Sequence, residues 1–526
     1  MSSNSTTYRL ISHWNHLRLG LIFEGILVGI CSGLIVVLYR YALEKIGLVS
    51  NRIYAYLAFH YELLPLWLLS LSIIALSVYF IIKKQPMTKG SGIPQVEGVL
   101  LRRLEMNWWK TILGKFSGGL LSLGAGLSLG REGPSIQLGA AIGQGIGKIL
   151  KRPNIETKYL ITGGASAGLA AAFSAPLAGV IFALEEVHKN FSPLILLTAM
   201  SAALTADLVS KEFFGMKPVL NFHQLTYIPL HYYLLLILLG AILGLLGVLF
   251  NWALLKTQDL YSKLKIPGYC KMIIPFAVAG IVGIFLPQVL RGGHQLIMSL
   301  TGNGIVLQIT VVLLIFKFAL TMISYGSGVP GGIFLPLLAI GALIGSVYGN
   351  LISTFTGISP TFGNNFIILA MAGYFTAIVR APITGCILIS EMTGSLHHLL
   401  PLAVVSVVAY IVADLLGSKP IYESLLSRIL RSKGENQFNG SQANKVLLEI
   451  VVPMGTTLEG KQVKEINWPN HCLLVGIKRG NDELIPKGDS IVYAGDYLIV
   501  LVDEIRAAHT KKILLKFAER LKLDKR

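Results

Sequence analysis

Glu132 sits in the turn Gly-Arg-Glu-Gly-Pro at 130–134, directly ahead of an apolar stretch. A carboxylate in that setting is the first place where this sequence suggests chemistry. Glycine lets backbone come close to a ligand, and proline in a first helical turn gives up an amide that has no intrahelical partner. The remaining free amides and the positive end of the helix dipole then face an anion. Gly-x-x-x-Pro recurs at 332–336, and two further turns, GSGIP at 90–94 and GSGVP at 326–330, add breaks that are costly in lipid unless they line a cavity. Two such helix starts converging make a small anion site without a full cationic charge, which suits an ion that must also leave. Glu132 can occupy the anion's own place, blocking when ionised and opening when protonated. The alternative, a helix-capping carboxylate paired with Arg131, stays open. Glu185 and Glu186 close another apolar run before HKNFS and by themselves say little, since one can simply reach solvent. Gly139, Gly143 and Gly147, at four-residue spacing, suit helix packing rather than binding.

The elements that must hold these turns are membrane helices. Of 526 residues, 53% are hydrophobic and 14% charged, and the mean hydropathy is +0.65. Charge-poor stretches recur near 20–43, 63–82, 158–184, 228–255, 272–290, 305–323, 332–349, 365–390 and 396–417, each near the ~20 residues that span a bilayer. A barrel would instead alternate over ~10-residue segments. The run from 20 to 43 is too long for a signal-peptide core and reads as a retained helix behind a polar N-terminus, residues 1–19. A net charge of +18 raises nucleic acid as a partner, but the basic residues flank apolar segments, as positive-inside bias requires, so none is expected. Arg9 and Arg18 place the N-terminus in the cytoplasm, and Lys256, Lys263, Lys265 and Lys271 place that loop there. Cys31, Cys270, Cys386 and Cys472 lie too far apart for a disulfide framework or a metal site; neither metal nor cofactor is expected, and no nucleophile set points to an enzyme.

The membrane part repeats itself. GREGPSIQLGAAIGQGIG at 130–147 matches GIFLPLLAIGALIGSVYG at 332–349, and SAPLAGVIFALEE at 174–186 matches RAPITGCILISEM at 380–392. Two homologous halves follow, about 20–215 and 228–425. Repeats of this kind often have inverted topology, with substrate at their interface. After about 430 the composition turns to a polar linker at 431–445. LLEIVV, HCLLVGIKR and DYLIVLV then read as strands of a small module over 446–503, and a basic helical tail occupies 504–526.

Together GSGIPQVEG, GREGPSIQLG, GSGVPGGIFLP and GSKPIY at 417–422 resemble the chloride channel and transporter (ClC) family over about 20–430. The resemblance implies an all-α polytopic membrane protein of two inverted repeats of tilted, broken helices, assembled as a homodimer with one anion pathway per subunit. Ser91 and Tyr422 match the family's hydroxyl donors to the central anion, with Gly92 and Ile93 in the same loop, and the amides of Ile333 and Phe334 match its backbone donors. Glu132 matches the external gating glutamate, and Glu186 the internal proton-transfer glutamate of exchangers. Ser91 is similar to chloride-selective members, where nitrate-preferring relatives carry proline. The implied function is chloride/proton antiport; a passive voltage- or pH-gated chloride channel is the rival. Residues 446–503 resemble the C-terminal lobe of TrkA/RCK regulators, implying a small cytoplasmic α/β domain in a prokaryotic protein. That domain either binds a small regulatory ligand or serves assembly. The expected location is the inner membrane with both termini cytoplasmic. A potassium pathway is disfavoured, because no TVGYG filter is present.

Overall fold

Among the described residues, apolar segments punctuated by proline and glycine fold into seventeen α-helices, followed by one four-stranded sheet, in the computed structural model of the chain. The structure describes residues 4–220, 222, 225, 227–301, 306–357, 359–432, 445–470, 472–480, 482–503, 510, 511, 513 and 514. Most of the expected linker and of the basic tail lies outside the described residues.

The first eight helices are α1 (Asn4–Leu57), α2 (Leu64–Lys84), α3 (Ile93–Leu100), α4 (Trp108–Gly124), α5 (Glu132–Ile149), α6 (Asn154–Phe173), α7 (Pro176–Phe182) and α8 (Pro193–Phe214). The second eight repeat them: α9 (Tyr233–Lys263), α10 (Gly268–Phe285), α11 (His294–Ser299), α12 (Leu307–Gly326), α13 (Phe334–Thr356), α14 (Gly363–Val379), α15 (Pro382–Thr393) and α16 (Leu399–Leu415). Helix α17 (Ile421–Ser432) follows. The repetition extends to backbone angles. Gly92 and Gly293 both have φ 96°, and Ser174 and Arg380, 206 residues apart, are both left-handed at 52° and 71°.

The halves meet at Gly130 and Gly332, which the sequence repeat pairs. Each donates its amide to the other's carbonyl, at 2.6 and 2.8 Å, in an antiparallel bridge. Equivalent residues exchanging hydrogen bonds in this way lie on a local two-fold axis, so the repeats have inverted topology. The same symmetry returns at the prolines. Glu185 accepts from the amides of Ile383 (3.3 Å) and Thr384 (2.9 Å) and from the Thr384 hydroxyl (2.7 Å), at the start of α15. Its counterpart Glu391 accepts from the amides of Leu177 (3.1 Å) and Ala178 (2.8 Å), at the start of α7. Each repeat thus caps the other's helix, satisfying amides that Pro176 and Pro382 leave at a chain break.

Three features depart from the hydropathy reading. The first span is part of one long helix to Leu57, because nothing after residue 43 breaks it. The stretches 158–184 and 365–390 are each two helices, broken at the left-handed Ser174 and Arg380 and restarted by proline. Helices α4 and α8 lie outside the charge-poor stretches: Lys110 and Lys115 interrupt α4, and Asp207, Lys211 and Glu212 cut into α8, although its most apolar stretch has a mean hydropathy of 1.6. The small residues of α8 serve packing: Gly25, Gly29 and Gly33 of α1 seat on Thr198, Ala202 and Ala206 of α8. On α5, a Cβ at Gly139 or Gly143 would run into the carbonyls of Gly164 or Leu160 of α6, and one at Gly147 would lie 3.0 Å from the Thr157 side chain. These three glycines therefore serve close helix packing, as their spacing suggested.

Residues 427–526 form a separate compact unit. Its strands β1 (Lys445–Val451), β2 (Cys472–Arg479), β3 (Asp482–Leu484) and β4 (Tyr497–Asp503) make an antiparallel sheet in the order β1-β4-β2-β3. Alternate residues Ile450, Val500 and Val502 face a small core with Val452, Leu458 and Leu514. Asp496 closes the loop before β4 through a two-pronged ion pair with Arg479, at 2.8 and 2.7 Å, and by accepting from the Tyr493 amide.

Candidate functional site

The loops ahead of α3, α5 and α13 converge beside the Gly130–Gly332 bridge. Gly90 donates to the Gly328 carbonyl (3.2 Å) and accepts from the Gly331 amide (3.0 Å), tying the first turn to the third. Gly92, left-handed at φ 96°, caps α3 and turns the chain so that Ser91 lies against the start of α5. The approach is close: a Cβ on Gly133 would stand 2.9 Å from both the Cβ and the carbonyl of Ser91, and 3.2 Å from the Gly332 Cα. No side chain caps the start of α5 or α13, and at α3 the Ser91 hydroxyl accepts from the Ile93 amide at 3.4 Å. The first α5 and α13 ladder bonds run from Ser135 to Arg131 and from Leu337 to Ile333, so the amides just before Pro134 and Pro336 have no helical acceptor. They are donors available to an anion.

Aromatic packing carries the assembly on to Tyr422 in α17. The Phe334 ring meets Phe173, Phe182 and Phe375 at 5.4, 5.7 and 4.7 Å, and Phe182 meets Tyr422 at 6.4 Å, edge to face. The Tyr422 hydroxyl is fully buried without a hydrogen-bond partner, which is costly for an isolated protein group and leaves a donor that an anion could satisfy. Ser91, Ile333, Phe334 and Tyr422 are thus gathered in one buried region, with Gly92 and Ile93 in the turn beside Ser91.

Glu132 is completely buried, and neither of its oxygens has a partner in good hydrogen-bond geometry. Its carboxylate is turned toward its own amide and that of Leu335, in the first turn of α13. The Arg131 pairing expected of a simple cap is slight: Arg131 lies 4.0 Å from Glu132 but 3.5 Å from Glu44. Glu186 is also buried, with one oxygen unpartnered, and lies in a π-helical turn, Ala183–His188, that continues α7. The wider turn separates the two neighbours: Glu185 points to α15, and Glu186 turns inward. π-Turns of this kind concentrate at functional sites.

Several participants were invisible in the sequence. Lys189, left-handed at φ 55°, pairs with buried Glu97 of α3 at 2.7 Å, and Glu186 lies within electrostatic reach of both. Lys115 and Lys317, 202 residues apart, are fully buried. Lys115 donates to the carbonyls of Thr88 (3.1 Å) and Gly90 (2.6 Å), and Lys317 to those of Val289 (3.0 Å) and Arg291 (2.5 Å). Each holds the turn ahead of a short helix, and Lys115 thereby fixes the Ser91 loop. The signal was a lone lysine in the same place of both repeats, legible only once the repeat is extended beyond its matched blocks.

Residues 73–414 match the family model described as voltage gated chloride channel, and residues 447–515 match that of the TrkA-C domain. A Vibrio cholerae protein named H(+)/Cl(-) exchange transporter ClcA is 36% identical over 424 residues, covering 78% of this chain and 90% of that protein. A protein of the same name from Salmonella gallinarum is 32% identical over 433 residues, covering 81% and 92%. Among solved structures, a slow cyanobacterial Cl-/H+ antiporter is similar with a TM-score of 0.74 at 30% identity, covering 79% of this chain and 99% of that one. A CLC-type fluoride/proton antiporter shares the fold, with a TM-score of 0.65 at 24% identity over 77% and 97% of the two chains.

Proposed function

The chain belongs to the voltage gated chloride channel family, and from that premise we infer that it is a chloride/proton antiporter rather than a passive channel. The observation that carries this reading is a pair of buried carboxylates, Glu132 and Glu186, both within electrostatic reach of the Tyr422 hydroxyl. A channel needs no second buried acid. In our reading chloride is held by the Ser91 and Tyr422 hydroxyls and the amides of Ile333 and Phe334, with Gly92 and Ile93 shaping the loop. These neutral donors bind without a fixed full charge, so the ion can be released.

Glu132 then alternates between two states. Ionised, it takes the anion's position before the α13 amides; protonated, it leaves that position to chloride and carries the proton. Glu186 receives protons from the cytoplasm, with Glu97 and Lys189 beside it setting the local charge. We assign the Glu132 side to the exterior and the Glu186 side to the cytoplasm of a bacterial inner membrane, following the basic loop at Lys256–Lys271, and the working unit to a homodimer. The TrkA-C domain would act from the cytoplasm, through a small ligand or through assembly.

The test is Glu186→Ala in reconstituted vesicles. Chloride flux should survive while chloride-driven proton movement falls by at least ~10-fold, the scale of losing a positioned proton carrier. Unchanged coupling would remove Glu186 from the mechanism.

A further inference from the structure

The second repeat carries its own copy of the anion-binding turn, and it opens onto a different place. Gly90, Ser91 and Gly92 correspond to Arg291, Gly292 and Gly293: the same left-handed angles recur (64° and 56°, then 96° twice), and Lys317 holds the second turn as Lys115 holds the first. This copy lines a cavity of ≈ 470 Å³ on the Glu132 side, together with Arg40, Glu44, Arg131 and His294.

Two features of that cavity are unexplained by chloride exchange. First, Arg291 occupies a left-handed position that disfavours any side chain, where the first repeat uses glycine. Its head is clamped over the cavity wall by a 2.8 Å bond to the Gly47 carbonyl. Second, charge and hydrogen bonding are unbalanced. Arg40 and Arg131 share a single oxygen of Glu44, at 3.2 and 3.5 Å, and Arg291 pairs with no carboxylate among the described residues. Arg40 Nη1, Arg131 Nε and Arg291 Nε are all buried without a hydrogen-bond acceptor. Arg131 Nε has Glu132 at 4.0 Å and the Arg40 guanidinium lies over the Phe214 ring at 3.7 Å, which leaves three guanidiniums against the two carboxylates Glu44 and Glu132. His294 is held by the Val219 carbonyl at 2.9 Å.

We propose that this vestibule is a second anion site, selective for small oxyanions, in which Arg291 with Arg40 and Arg131 binds the ligand and Glu44 competes with it. Guanidinium forks match the paired oxygens of an oxyanion, whereas the chloride path is built from single neutral donors. The volume is more than ten times a water's ~30 Å³, so an oxyanion enters with part of its hydration. Bound there, it stands before Glu132 and competes with chloride approaching from that side.

Potassium sulfate is the probe, titrated calorimetrically into the purified full chain at fixed chloride and matched ionic strength. One sulfate per chain should bind, at least ~10-fold more weakly in Arg291→Gly, which loses charge-assisted bonds, and more tightly in Glu44→Gln. Chloride binding by Arg291→Gly should be unchanged, which separates loss of this site from loss of the chloride path. In vesicles, sulfate on the Glu132 side should raise the half-saturating chloride concentration and leave the maximal rate alone. Absence of sulfate heat in the wild type, or equal sulfate affinity in Arg291→Gly, overturns the proposal. Should Arg291→Gly lose chloride binding too, Arg291→Lys decides: weakened sulfate with intact chloride supports the site, and unchanged sulfate overturns it.

Discussion

Replacing Gly133 by alanine adds one methyl group where two loops of the anion path touch. Gly133 does not need a left-handed backbone, and local propensity alone favours alanine in a helix by ~1 kcal/mol. The contacts predict the opposite outcome. The new Cβ would lie 2.9 Å from the Ser91 Cβ and carbonyl and 3.2 Å from the Gly332 Cα, none of them the end of a flexible side chain. Restoring ordinary contact requires the Ser91 loop to retreat by about half an ångström, and a 1 Å misplacement at a preorganised site costs ~100-fold. Chloride affinity should therefore fall about 10-fold, or ~1.4 kcal/mol. Calorimetric chloride titration of purified Gly133→Ala reads this directly, with Gly363→Ala as control because nothing lies within 4 Å of its added Cβ. A chloride affinity within two-fold of wild type in Gly133→Ala would refute the convergence of these loops on the anion.

Glu132→Gln, which cannot ionise, should keep chloride flux, make it insensitive to pH and abolish proton movement, read with a pH dye in vesicles. Glu185→Ala removes three hydrogen bonds across the repeat axis and Glu391→Ala two. At ~1 kcal/mol each, the first should unfold at the lower temperature when the two are heated in detergent. In the TrkA-C domain, burial pushes the Asp496 carboxyl up, but Arg479 and the Tyr493 amide outweigh it and hold it below the usual carboxylate range. A lowered folded value means stability that is present above the ordinary Asp pKa of ~3.9 and lost as pH falls through the folded value. Asp496→Asn should accordingly lower the domain's calorimetric transition in the full chain at pH 7, with the gap to wild type closing below about pH 4.

How much was legible in the sequence follows from what each signal depends on. The glycine and proline turns were readable because they break an apolar pattern locally, and the matched blocks around Gly130 and Gly332 put both on the axis where they do meet. Three of the four strands beyond the linker were readable from β-branched runs between turn signals; β3, only Asp482–Leu484 and without a β-branched residue, was not. Charge-poor runs left out α4 and α8, which lysines and acids interrupt, whereas α5, rich in small residues because α6 approaches it closely, was placed by its glycine turn. The same runs also merged α6 with α7 and α14 with α15, since a left-handed Ser174 or Arg380 leaves no mark on an apolar average. In the site, Glu132 announced itself by standing in a glycine turn. Glu185 and Glu186 look alike in sequence, and only the π-turn assigns one to capping α15 and the other to the interior. Glu97, Lys115 and Lys189 act through partners far along the chain, which spacing cannot supply.

The central claim is that chloride and protons move in exchange through one path bounded by Glu132 and Glu186. Vesicles holding the purified wild-type chain, loaded with high chloride and placed in low chloride at equal pH, test it most directly. Outward chloride movement should drive protons into the vesicles against the gradient that builds, alkalinising the medium, and a protonophore should collapse the change. Chloride leaving at a steady rate with no uphill proton movement would contradict the account and make the protein a passive chloride pathway.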